Sequence, residues 1–226
     1  MKSDRFSDAD PTVGDVNASA AAMLGQVAPP SSPDPALVLA QAAARQEPAA
    51  LRAVLEQVSP TLLSAVRRIL GAAHPSVEDV LQESLVAFVK ALGAYRAQSS
   101  LRTYGSRIAV RTALSHSRQA RERRAWDAQH ELEQQPLSER SDTPEDAAQA
   151  ERRRGALRSL LSELPAEQAE TFAMRIVLGY SIEEVAAATG VPANTVRSRM
   201  RRAREVLKAK LDADPRLARL LAEGAA

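Results

Sequence analysis

Apolar residues recur at helical spacing in two blocks of this 226-residue chain, and the stretches before and between the blocks lack that period. Residues 1–33 are rich in Ser, Asp, Ala and Pro and end in PPSSP. They are expected to form a disordered N-terminal extension. From Pro35 the pattern turns helical, with a first helix over about Asp34 to Arg45. A second carries Leu51, Val54, Leu55 and Val58, then Leu62, Leu63, Val66, Ile69 and Leu70 up to Gly71. Within it Ser59-Pro60 reads as a cap and first position, or as a kink. Ser76, with Asp79 three residues on, opens a third helix that buries Val77, Val80, Leu81, Leu85, Phe88 and Leu92. Asp79, Gln82 and Glu83 share its opposite side. A loop over Gly93 to about Ser100 leads into a helix from Leu101 to about Arg123, with Leu101, Tyr104, Ile108 and Thr112 on its inner face. Arg107, Arg111 and Arg118 line up along it at spacings of four and seven, with Ser115 beside them, as a basic stripe.

The second block begins near Glu151 with Leu157, Leu160, Leu161 and Leu164, stops at Pro165, and resumes with Phe172, Ile176 and Val177 before Gly179. The segment SIEEVAAATGVPANTVRSRMRRAREVLKAK (181–210) follows. Ser181 and Glu184 form a capping-box signature, and Ile182, Val185 and Ala186 share a face of the short helix they open. Gly190 fits a sharp stop at positive φ, and Pro192 the first position of the next helix. Two helices joined by so short a Gly-containing turn form a helix-turn-helix. In the second of them Val196, Met200, Ala203 and Leu207 make one narrow buried seam, while Asn194, Thr195, Arg197, Ser198, Arg199, Arg201 and Arg202 are the candidate DNA-facing residues. From Asn194 to Lys210 seven Lys/Arg stand against one acidic residue, a net +6 that suits a helix entering a DNA major groove.

The overall charge of +2 conceals this distribution. Arg102 to Arg124 is also net +6, whereas Ala125 to Glu151 holds eight acidic residues and one Arg, net −7. Two basic blocks flank an acidic one, which implies two polyanion-facing surfaces on a tether. There is no Cys, hence no disulfide framework and no thiolate metal site, in keeping with a reducing, cytoplasmic setting. No run approaches the roughly 18 apolar residues of a membrane span, so no membrane insertion is expected, and the N-terminus lacks the apolar core of a secretory signal. His74, His116 and His130 have no metal-ligand spacing and read as ordinary surface or interface residues. No phosphate-binding Gly loop or nucleophile elbow is present, so neither catalysis nor a cofactor is expected. The fold class is all-α: two small helical domains, 34–123 and 151–212, joined by a flexible acidic linker (124–150) and followed by a tail (213–226) with room for one short helix.

Taken in order, residues 77–118, with the EDVLQESL helix (78–85), and residues 161–211, with the TVRSRMRRAREVL helix (195–207), closely resemble extracytoplasmic-function (ECF) sigma factors, the small bacterial RNA polymerase initiation subunits of the sigma-70 family. The resemblance covers about residues 37–212. It implies that 34–123 is a sigma-2 domain that docks on the β′ clamp helices of core RNA polymerase and captures the melted minus-10 strand. It implies equally that 151–212 is a sigma-4 domain that binds minus-35 promoter DNA and the β flap. On that reading Asp79, Gln82 and Glu83 face the polymerase, Arg107, Arg111, Ser115 and Arg118 hold the unpaired strand, and the Gly93–Ser100 loop holds a flipped base. Members of the family are often held inactive by an anti-sigma factor that clamps both domains; nothing in this sequence identifies one. The chain departs from the family pattern at Tyr104-Gly105, where "TWL" is usual, at Arg111, where Asn usually follows "IAR", and at Ser115, where Asp is frequent. The alternative is a stand-alone helix-turn-helix regulator whose first domain senses a ligand or dimerises.

Overall fold

The computed structural model describes residues 34–130 and 145–222, all of whose regular structure is helical. The expectations for 1–33, for 131–144 and for the last four residues lie outside the described residues.

In the first block, α1 (Pro35–Ala44) starts where the Asp34 carboxylate accepts the Ala36 amide at 2.8 Å. The long α2 (Pro48–Leu70) continues through Pro60 without a break, with the Ser59 hydroxyl donating to the Leu55 carbonyl at 2.5 Å. In α3 (Val77–Ala91) Ser76 is the N-cap but its side chain does not cap. Its backbone amide is instead taken up by His74 Nδ1 at 3.2 Å. A 3-10 turn (Leu92–Ala94) and a short loop lead to α4 (Leu101–His130). The Tyr95 hydroxyl holds that loop by donating to the Ser99 carbonyl at 2.6 Å.

The expected inner face of α4 is only part of what is buried. Leu101 is buried as read, but Tyr104, Ile108 and Thr112 are half-buried, and Thr103, Ser106, Ala109, Val110, Ala113 and Leu114 are covered. The reason is that α4 is packed on two sides, by α2 and α3 on one and by the second helical block on the other. A helix sandwiched in this way needs small residues where its neighbours approach closely. Gly105 is such a site: a Cβ there would lie 2.7 Å from Leu62 Cδ1 and 3.4 Å from Phe88 Cε2. Both side chains are fully buried, so they occupy the space a larger residue at 105 would take. Tyr104 packs against Tyr95 (ring centroids 5.3 Å apart) and Phe88 (6.3 Å). An aromatic at 104 and no side chain at 105 thus share one packing solution. The usual gain of about 1 kcal/mol for Gly→Ala in a helix is expected to vanish at Gly105, offset by about 1 kcal/mol or more of overpacking. Thermal unfolding of Gly105→Ala checks this; a clearly raised midpoint would show that the site has spare room.

The second block comprises α5 (Glu145–Glu163), α6 (Ala166–Phe172) continued by a π turn (Ala173–Val177), α7 (Ile182–Thr189) and α8 (Ala193–Ala213). The tail adds α9 (Pro215–Ala222), started by the Asp214 carboxylate accepting the Arg216 and Leu217 amides at 3.0 and 3.1 Å. Leu217 and Leu221 anchor it on the core. The two blocks pack together as one unit, with α4 lying against α5, α6 and α7.

Candidate nucleic-acid and polymerase interfaces

The capping box of α7 is complete. The Glu184 amide donates to Ser181 Oγ at 3.1 Å and the Ser181 amide donates to Glu184 Oε2 at 2.7 Å. Gly190 closes α7 in the left-handed region (φ 70°), its amide donating to the Ala186 carbonyl at 2.8 Å. Pro192 is the N-cap of α8 rather than its first helical residue. The seam of α8 is buried as the period predicts: Val196, Met200, Ala203 and Leu207 are at most 8 % exposed. Burying that stripe turns the opposite face outward, so Asn194, Arg197, Arg201 and Arg202 are exposed and Thr195 and Ser198 half-exposed. Asn194 Oδ1 accepts from Arg197 at 2.9 Å, which orients both side chains at the start of the helix. Arg199 stands apart from this face. Only 17 % of its side chain is exposed, and its guanidinium pairs with Glu167 of α6.

The stripe on α4 is drawn into the seam between the two blocks. Arg107 Nε lies 2.6 Å from Glu170 Oε1, and its terminal nitrogen donates to the Ala188 carbonyl at 3.2 Å. Glu170 is itself buried, and Arg111 approaches its second oxygen at 3.7 Å. Arg118 donates to the Ser162 and Leu164 carbonyls at 3.2 and 2.8 Å, satisfying groups that the C-terminus of α5 leaves without helical partners. Arg121 reaches Glu163 at 3.3 Å, and the Ser106 hydroxyl meets the Tyr180 hydroxyl at 2.8 Å. Ser115 is exposed and Arg111 keeps 66 % of its side chain in solvent. Of the four residues assigned to a DNA strand, Arg107 and Arg118 are thus closely engaged by the chain itself and Arg111 loosely. Glu170 was not anticipated, because EQAETF carries no local sign of burial.

Asp79, Gln82 and Glu83 are exposed on one side of α3, as their spacing predicts. Val86, one turn further along, extends the same face and is 48 % exposed. Two of the three histidines are brought together: His74, in the loop after α2, meets His116 of α4 edge to face, with ring centroids 6.2 Å apart. Burial lowers the His74 pKa below its ordinary value, and the charges of Arg158, His116 and Arg124 add to this against the opposing pull of Glu151. Burial pushes Glu151 the other way, but hydrogen bonds from Arg158 and Arg154 overcome it and hold that carboxyl below its usual range. Among the described residues no cluster of three metal-ligating side chains is found, and no helix is long and apolar enough to cross a membrane.

Residues 54–123 match the family model described as Sigma-70 region 2, and residues 154–207 that described as Sigma-70, region 4. The RNA polymerase sigma-H factor of Pseudomonas aeruginosa is 32 % identical over 136 residues, spanning 58 % of this chain and 70 % of that protein. The ECF RNA polymerase sigma factor SigD of Mycobacterium tuberculosis is 34 % identical over 168 residues, spanning 70 % and 76 %. Among solved structures, that of CnrH in complex with the cytosolic domain of CnrY is 26 % identical and covers 80 % of this chain and 99 % of its own, with a TM-score of 0.45. The capped helix-turn-helix therefore lies in a region-4 match, the arginine stripe and the acidic face lie in a region-2 match, and the chain belongs to the ECF sigma factors of the sigma-70 family.

Proposed function

We propose that the chain confers promoter specificity on core RNA polymerase through three surfaces. Asp79, Gln82 and Glu83, with Val86 at their edge, dock on the β′ clamp helices. The outer face of α8 (Asn194, Thr195, Arg197, Ser198, Arg201 and Arg202) reads the minus-35 element in the major groove, with Arg199 bracing α8 against α6. Arg107, Arg111, Ser115 and Arg118 hold the melted minus-10 strand. The observation that carries this reading is the outward arginine face of α8 above a fully buried seam, which is the geometry a groove-reading helix requires.

One consequence follows from the ion pairs of α4. While Arg107 pairs with Glu170 and Arg118 caps α5, both lie in the seam with much of their donor capacity taken up, and neither presents an open guanidinium to a phosphate. Strand capture then requires the seam between α4 and the second block to open, and polymerase, which would engage both blocks at separate points, supplies the force that holds it open. Reconstitution tests the whole reading: with core polymerase the purified chain is expected to give transcripts that start at discrete promoters. Absence of any such transcript, together with tight binding of the free chain to duplex DNA, would assign the protein to the stand-alone regulators instead.

A further inference from the structure

Where α4, α5 and the loop after α2 meet there is a cavity of about 180 Å3 that the proposed nucleic-acid surfaces do not use. That is room for several water molecules or one small anion. His74, His116, Arg121, Arg124 and Arg158, with three serines, supply its polar lining, and none of the described residues lining it is acidic. We infer that this cavity binds a small phosphate-type oxyanion: inorganic phosphate, pyrophosphate or the phosphate tail of a nucleotide.

The donors left over point to an anion. Arg158 is paired with Glu151 and donates to the Leu70 carbonyl, and Arg121 is paired with Glu163. Arg124 has only its own-helix Ala120 carbonyl, at 3.2 Å, and no ion pair among the described residues. His116 has the His74 ring as its neighbour. His74 accepts the Ser76 amide on Nδ1, which leaves Nε2–H free to donate when the ring is neutral. Burial is the main cause of the lowered His74 pKa, and the positive field of Arg158, His116 and Arg124 adds to it against the opposing pull of Glu151. Guanidinium forks match the oxygens of a phosphate bidentately, and their hydrogen bonds to it are charge-assisted. Because α4 belongs to one helical block and α5 to the other, an anion held here would bridge the seam between them. The inference does not rest on the polymerase reading.

Titration calorimetry on the full chain, at fixed ionic strength and without divalent metal, tests it with pyrophosphate, phosphate and ATP as the probes. Pyrophosphate is expected to bind one to one and to raise the thermal midpoint. Arg124→Ala, at an exposed residue whose loss leaves no carboxylate unpaired, should weaken binding about tenfold, as the loss of a charge-assisted hydrogen bond implies. Arg102→Ala removes the same charge elsewhere on α4 and should leave binding unchanged. Tighter binding of pyrophosphate and ATP than of phosphate assigns the site to a phosphate chain, and equal binding of phosphate assigns it to a single group. No saturable heat with any probe, or an equal loss in Arg102→Ala, would overturn the inference.

Discussion

Replacing Glu170 by Gln is expected to raise the affinity of the free chain for single-stranded DNA by roughly ten- to a hundredfold. Glu170 is 6 % exposed and is held by Arg107 at 2.6 Å, with Arg111 behind it at 3.7 Å. A hydrogen bond to a charged group contributes about 1.5–3 kcal/mol, and each 1.4 kcal/mol is a factor of ten. The apparent affinity of a protein that binds only when open is its intrinsic affinity scaled by the open fraction. Weakening the closed state therefore tightens strand binding without adding a contact. Most of the effect should come through Arg107, whose side chain is 25 % exposed. Arg111 is 66 % exposed, so its approach to Glu170 is screened and worth little. Arg107→Ala separates the two roles. It also breaks the closed pair, yet it deletes a proposed strand contact, so its gain should be small in the free chain and its loss plain in open complexes with polymerase. Anisotropy of a labelled oligonucleotide, with and without core polymerase, measures both. An unchanged free-chain affinity in Glu170→Gln would show that the seam does not mask the stripe. Unchanged open complexes in Arg107→Ala would remove the stripe from strand capture altogether.

That asymmetry also separates what local sequence encodes from what it does not. The α8 seam was legible because burial of an amphipathic helix follows its own 3.6-residue period, and Val196, Met200, Ala203 and Leu207 repeat on it. The capping box of Ser181 and Glu184 was legible because both partners lie within one turn. Ser76, with Asp79 three residues on, does not cap, because it leaves the extended region a cap needs (φ −85°, ψ 10°), and its own amide goes to His74 Nδ1 rather than to Asp79. The arginine stripe of α4 was legible as a stripe, but its occupant was not. Glu170, Ala188, Ser162 and Leu164 reach it only through the packing of the second block, and no spacing within α4 refers to them. His74 and His116 meet for the same reason. Gly105 read as a departure from the family pattern; with Leu62 and Phe88 in place it is a packing requirement. The end of α4 was read too early, near Arg123. Helix-compatible Ala, Trp and Gln continue it past Arg123 through the last described residue of this stretch, His130, into what the acidic composition suggests is a linker.

On α8, Arg201→Ala is expected to cost about 1–3 kcal/mol of minus-35 binding, roughly five- to 150-fold, and to relax the preference at one or two base pairs. The Arg201 side chain is 73 % exposed and only loosely paired with Glu205 at 3.7 Å, so little within the protein opposes its turning into a groove. Two neighbours on the same helix give contrasting outcomes. Arg204, exposed on the flank, should act on phosphates: its removal should weaken all duplexes alike and lower the salt dependence by about one unit. Arg199, paired with Glu167, should act through the docking of α8 on α6, so its loss should lower the thermal midpoint before it changes base preference. Binding to a randomised upstream element, followed at two salt concentrations, distinguishes the three. If Arg201→Ala leaves the base profile intact and behaves like Arg204→Ala, α8 contacts only the backbone. The specificity of this chain would then have to come from the strand held by α4.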